Sequence, residues 1–147
     1  MDITLSSIGM IHSPFTEPAQ APIQASRSTA LGSVEIFPQF MEGVGDLEEF
    51  SHIHLLYLIN CPQGYNLKVR PFLDDREHGI FATRYPCRPN PIGLSTVHLL
   101  RVKGNLLEVE GVDMLDNTPL LDIKPYVPEF DVRENPQVGW YGRRAHP

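Results

Sequence analysis

A chain of 147 residues, 41% hydrophobic and 20% charged, is one domain's worth of globular protein and is too apolar for wholesale disorder. No apolar run reaches the roughly 18 residues of a membrane-crossing helix, and MDITLSSIGMIHSP is not a secretory leader, so no membrane and a cytoplasmic location are expected. The net charge of −6 is uneven: Lys68 to Lys103 holds seven basic and three acidic residues, hence +4, and the rest carries −10, a distribution that suits a local anion-binding face.

In chain order, Ile3 to Met10 reads as a first strand and Val34 to Phe37 as a short second one closed by Pro38. Gln39 to Phe50 holds the only helical turn expected, and its two glycines keep it short. Ser51 to Ile59 begins by alternating and ends almost continuously apolar, which suits a strand buried on both faces. Gly79 to Thr83 is a further short strand. Leu94 to Val102 and Leu106 to Val112 flank Lys103-Gly104-Asn105, the best hairpin signal in the chain. Pro119 to Tyr126 alternates again, and Glu134 to Pro147 forms a docked or partly mobile tail. Fourteen prolines argue against long helices. The expected fold is all-β, a small antiparallel barrel with long ordered loops, spanning residues 1–147 as a single domain.

The chemistry of such a scaffold belongs to its loops. The densest is FATRYPCRPNPIGLS, Phe81 to Ser95, stiffened by prolines and presenting Arg84 and Arg88 as forked donors suited to a carboxylate or phosphate. The competing reading has both arginines pinning the loop to neighbouring acids. His52-x-His54 invites a metal reading with His12, Asp74 and Asp75, but no complete ligand set has a recognisable spacing, so structural histidines and no metal are expected. Cys61 and Cys87 are too few for a disulfide framework and match no zinc spacing; they are expected as small buried thiols in a reducing compartment.

The segments Ile8–Phe15 (IGMIHSPF), Ala21–Gln24 (APIQ), Val34–Tyr57, Gly79–Ser95 and Asp113–Asp131 (DMLDNTPLLDIKPYVPEFD) resemble, in this order, the TsaA-like (TrmO-like) family. RPNPIG followed by DNTPLLDIKPY is a specific combination. The resemblance implies a small β-barrel that works as a homodimer, uses S-adenosyl-L-methionine and methylates N6 of threonylcarbamoyladenosine at tRNA position 37. Two positions depart from the pattern: a His is usual where Asn60-Cys61 stand, and a Ser is frequent at Tyr85.

By position, the resemblance implies that Pro22, Ile23, Gln24, Asn60, Cys61, Arg84, Leu94, Leu115, Asp116, Asn117 and Thr118 line the cofactor. Arg84 suits its carboxylate, and Asp116 an amino group; the stretch Asp116 to Pro119 also reads as an ordinary β-turn. Arg88 and Asn90 are assigned to the RNA substrate, for its carboxylate and hydroxyl or a backbone phosphate. The N6 proton calls for a base. The candidates are Asp122 and Tyr126 with Lys124 between them, three residues that share one strand face, against the alternative of a surface Asp–Lys pair. Two rival functions stand beside this one: a non-catalytic cofactor- or RNA-binding barrel, and a metal-assisted hydrolase built on the histidines.

Overall fold

The computed structural model describes residues 1–144. Eight strands occur: β1 (Gly9–His12), β2 (Leu31–Ile36), β3 (His52–Leu58), β4 (Lys68–Val69), β5 (His78–Gly79), β6 (Ile92–Lys103), β7 (Leu106–Glu110) and β8 (Thr118–Pro125). Six close into an antiparallel barrel in the order β1-β2-β7-β6-β3-β8, and β4 with β5 forms a separate ribbon. Closure removes every sheet edge from the barrel.

Alternation decides what fills it. Ile53, Leu55 and Tyr57 of β3 point inward with Val97 and Leu99 of β6, and meet Ile11, Val34, Leu107, Val109 and Leu120 from the other strands. Such aliphatic side chains each contribute about 1.5–3 kcal/mol on burial. The outward row of β3 is His52, His54, Leu56 and Leu58, so this strand is not buried on both faces as its apolar run suggested. Its outer face is half covered: Tyr126 and Asp131 lie against His54, and Leu58 is left exposed. Two irregularities bend the wall, one in β8 opposite Leu56/Tyr57 and one in β6 between Leu99 and Arg101.

The β6–β7 hairpin turns on Gly104, whose φ of +61° explains the glycine. The expected first strand is a correction. Backbone pairing starts at Ile8, whose N–H donates to the Leu120 carbonyl and whose carbonyl accepts from the Phe37 N–H; Ile3 and Leu5 before it are exposed, and the Ser7 hydroxyl caps the strand start on the Gly9 and Leu120 carbonyls. The expected Gly79–Thr83 strand is a second: Ile80–Ala82 is a 3₁₀ turn closed by the Thr83 hydroxyl on the Ile80 carbonyl. The Gln39–Phe50 stretch likewise forms 3₁₀ turns, Pro38–Val44 and Leu47–Glu49. Among the described residues two single-turn helices follow the barrel, α1 (Pro128–Asp131) and α2 (Trp140–Arg143). The tail is docked through Trp140, which stacks on His78 at 4.6 Å and donates its indole N–H to the Ala82 carbonyl; residues 145–147 of it lie outside the described residues.

Antiparallel connectivity sorts the loops. Segments 13–30, 59–91 and 111–117 gather at one rim, and segments 37–51 and 104–105 at the other end.

Candidate functional site

The loop-rich rim is laced together by side chains. Segments 13–30 and 111–117 are joined by the Ser13 hydroxyl on the Met114 carbonyl at 2.7 Å, the Ser28 hydroxyl on the Val112 carbonyl at 2.6 Å, and the Asp116 N–H on the Phe15 carbonyl at 2.7 Å. The Ser13 N–H in turn donates to Asp116 Oδ1 at 3.0 Å. Asn117 takes a φ of +62°, and the Thr118 hydroxyl closes onto the Leu115 carbonyl at 2.6 Å. Leu115 to Thr118 is therefore a tight turn, as its composition allowed, and it sits on the rim.

Arg84 reaches across the rim. Its Nη1 donates to Gln24 Oε1 at 3.0 Å, joining two segments 60 residues apart. Among the described residues no carboxylate lies within ion-pair distance of Arg84. An exposed guanidinium held by a neutral amide keeps its charge and fork for an incoming anion. Beside it Ile23 is 41% exposed, and on the outer face of β6 Leu94 is 50% exposed, which leaves apolar surface uncovered next to the polar cluster.

Arg88 is different. Its Nη1 donates to the Thr83 and Tyr85 carbonyls at 2.9 and 3.2 Å, folding the loop on itself. The sequence suggested a substrate contact or an ion pair with a neighbouring acid; among the described residues no acid lies within ion-pair distance of Arg88, and the carbonyls take only its Nη1. Asn90 is exposed at the end of the same loop, where its carbonyl accepts from the Ile92 N–H.

Cys61 and Cys87 form a disulfide with their Cα atoms 5.5 Å apart, which corrects the expectation of two free thiols. The long 59–91 excursion returns beside its origin, where the Ile59 N–H also meets the Pro91 carbonyl, so the two cysteines arrive at bonding distance although 26 residues separate them. The bridge ties Asn60-Cys61 to the loop that carries Arg84 and Arg88.

The three residues considered for catalysis lie on the outer face of β8. Asp122 stands opposite Leu56, which stands opposite Leu94, so Leu94, Leu56 and Asp122 form one outward row across β6, β3 and β8. Two strand spacings put Asp122 about 10 Å from Leu94. Lys124 pairs with Asp122 at 3.1 Å, both largely exposed. Tyr126 packs edge-on against His52 and His54, nearest the far end of the barrel.

The histidines are engaged elsewhere. His52 stacks on His98 at 5.0 Å, and His54 bonds to Thr96 and approaches Asp131 at 3.2 Å. His12 lies between Glu35 and Asp116 on the rim, and Asp74 holds His78 at 2.6 Å. The hydrogen bond from His78 keeps the Asp74 carboxyl below its ordinary range. Among the described residues no three His, Cys, Asp or Glu side chains gather to hold a metal ion, and no helix is long and apolar enough to cross a membrane.

Sequence reasoning missed a buried polar group beneath this rim. The Tyr57 hydroxyl donates to Ser95 Oγ at 2.8 Å, and Ser95 donates to Asp113 Oδ1 at 2.5 Å. A signal was available: with Leu94 outward on β6, Ser95 must point inward, and an inward serine needs a partner.

A six-stranded closed antiparallel barrel with its polar loops gathered at one rim defines a small β-barrel class. The model of the tRNA-methyltransferase O N-terminal domain matches residues 10–132, and the chain belongs to that family. A probable S-adenosyl-L-methionine-binding protein of Pyrococcus abyssi is 56% identical over 140 residues, covering 95% of this chain and 76% of that protein. A mouse tRNA (adenine(37)-N6)-methyltransferase is 45% identical over 95 residues, 63% of this chain and 22% of that protein. The crystal structure of TrmO from Pseudomonas aeruginosa superposes with a TM-score of 0.79 at 37% identity, covering 95% of this chain and 62% of that one. A further TrmO crystal structure gives 0.81 at 40% identity, covering 95% and 64%. The chain thus spans under two thirds of the solved chains it superposes on.

Proposed function

We propose that this protein is an S-adenosyl-L-methionine-dependent tRNA methyltransferase that acts on N6 of threonylcarbamoyladenosine at position 37 of the anticodon loop. The observation that carries the reading is the Arg84–Gln24 contact, a forked cation without an acidic partner set among the rim segments that the family resemblance assigns to the cofactor. Membership in the tRNA-methyltransferase O family and the mouse relative's printed activity support the substrate.

The residues present fit this cofactor. Arg84 suits its carboxylate, Ile23 and Leu94 its apolar parts, and the Leu115–Thr118 turn with Asp116 its polar edges. The bound cofactor supplies the electrophilic methyl group, and the protein's share is placement. Asp122, on the outward row that begins at Leu94, is the base we assign to the N6 proton; Lys124 fixes its carboxylate and Tyr126 packs against His52 and His54. Arg88 braces the loop, and exposed Asn90 is left for the RNA. Exposed Leu58, Ile92 and Leu94, neighbours on the outer face of β3 and β6, form an apolar surface that supports pairing with a second copy, as the family resemblance implies, in the cytoplasm where tRNA is found.

The test is mass spectrometry of nucleosides after incubating purified protein with trideuteromethyl-labelled cofactor and tRNA carrying unmethylated threonylcarbamoyladenosine. Label on that nucleoside is expected. Label on another nucleoside, or none with the cofactor bound, contradicts the reading and favours a cofactor-binding barrel without turnover.

A further inference from the structure

The long excursion from the barrel, residues 59–91, carries features that the cofactor site does not use. It holds five basic and three acidic residues on a chain whose net charge is −6. From Lys68 to Phe72 burial alternates: Val69 and Pro71 are buried, and Lys68, Arg70 and Phe72 are exposed. The exposed side of this segment therefore presents two cations and then a ring. Among the described residues no carboxylate lies within ion-pair distance of Lys68 or Arg70.

The Phe72 ring stacks on Tyr85, with centroids 5.3 Å apart and planes 21° from parallel. Phe72 is still 65% exposed, so the ring face turned away from Tyr85 is open to solvent. Both partners stand on a fixed backbone. The Tyr85 N–H donates to Thr83 Oγ1 at 3.2 Å, and its carbonyl accepts from Arg88 Nη1 at 3.2 Å. Buried Pro71 precedes Phe72 and opens a turn that the Asp74 N–H closes on the Pro71 carbonyl at 3.3 Å. Tyr85 directly follows Arg84, the cation assigned above to the cofactor, so their Cα atoms stand about 3.8 Å apart.

A rigid ring with one open face, flanked by cations without acidic partners, is complementary to unpaired nucleotides: a base stacks on the ring, and phosphates meet the cations. A second copy fits less well, because a two-fold contact through this segment would set its cations against their own counterparts. We infer that Phe72, backed by Tyr85, is a stacking platform for an unpaired RNA base flanking the reacting nucleotide, with Lys68 and Arg70 on the adjoining phosphates. The inference rests on the proposed tRNA substrate and deepens it, by naming where the loop of that RNA lies.

The experiment measures, by fluorescence anisotropy, the binding of a labelled anticodon stem–loop RNA carrying threonylcarbamoyladenosine. The proteins are wild type, Phe72→Leu, Phe72→Trp, Lys68→Ala and Arg70→Ala. Phe72→Leu keeps apolar bulk against Tyr85 and loses the flat face. It should weaken RNA binding roughly five- to a hundredfold, with S-adenosyl-L-methionine affinity within twofold of wild type. Phe72→Trp, which keeps a flat face, should bind RNA within twofold of wild type. Two further RNAs carry an abasic nucleotide on one or the other side of the acceptor adenosine. With one of them Phe72→Leu should cause no added loss, because the base it would stack is already missing. Lys68→Ala and Arg70→Ala should each flatten the salt dependence by about one phosphate's worth of slope, and Phe72→Leu should not.

Unchanged RNA affinity in Phe72→Leu, full additivity with both abasic RNAs, or unchanged salt slopes in both cation variants overturns the inference. A shift of oligomeric state in light scattering with RNA affinity unaltered gives the ring to a second copy and overturns it too. If the stacking signature is present but no methyl reaches the RNA, the proposed function fails and the platform stands. Failure of the wild type to bind the RNA overturns both.

Discussion

Strand β8 connects two regions built on different terms. At its start, Thr118 closes a turn whose backbone and Asp116 side chain are bonded to segment 13–30. From Asp122 onward the same strand carries an outward ion pair with Lys124 and an aromatic packed on histidines, all on the barrel's outer surface. In sequence the two look alike, as polar residues in one short motif. Their difference is that the rim is cross-linked by several side-chain-to-backbone hydrogen bonds between distant segments, whereas the Asp122 carboxylate has only Lys124, two residues on, and Tyr126 is held mainly by ring packing. Precise placement of a ligand needs the first kind of support.

The largest effect expected concerns the rim's covalent tie. The Cys61–Cys87 bridge closes a loop of 26 residues, worth about 3–4 kcal/mol in the chain-entropy account. Replacing both cysteines by Ser should lower the unfolding free energy by about that amount in denaturant titration, and excess dithiothreitol should reproduce it on the wild type. Next comes Arg84→Ala, which removes a charge-assisted contact and should weaken S-adenosyl-L-methionine binding roughly ten- to a hundredfold. Arg88→Ala removes two bonds to loop carbonyls, about 1 kcal/mol each, and should show first in the melting temperature. Equal loss of cofactor affinity in both arginine variants would erase the distinction between them and make the loop one unit.

Smaller effects belong to the outer strip and the tail. Lys124→Met should change stability by under about 1 kcal/mol, the ordinary worth of an exposed pair, and leave cofactor affinity unaltered. The tail offers a pH readout, because Trp140 is the only tryptophan and lies on His78. Asp74 has its carboxyl lowered by His78, so its contribution is complete above the ordinary aspartate range and is lost as pH falls through the lowered value. The part of any Trp140 emission change that depends on Asp74 should therefore fall below about pH 4, and Asp74→Asn should remove it. An emission change below that pH that survives Asp74→Asn would show that this carboxylate does not hold the tail.

Much of the barrel was legible because strands announce themselves locally. The β6–β7 hairpin was marked by Gly104 and by alternation on both sides, and β8 by the run from Pro119. Closure was harder to read: β1 pairs with β8, and β2 with β7, across most of the chain, and no local pattern encodes such partners. The rim turn at Asp116 was visible as turn chemistry. Arg88 was visible as a cation on a stiff loop, but the proline spacing does not say that its guanidinium folds back onto Thr83 and Tyr85. The disulfide was missed because 26 residues of loop conceal that its ends return to one place. Asp113 was missed because its partners Ser95 and Tyr57 come from β6 and β3, far from it in the chain.

The most direct test of a cofactor site on the laced rim is amide hydrogen exchange with and without S-adenosyl-L-methionine. Added protection should fall on residues 22–28, 83–88 and 112–118, with little change along 122–126. Protection concentrated on 122–126 and absent from the three rim segments would contradict the account and move the site to the barrel's outer face.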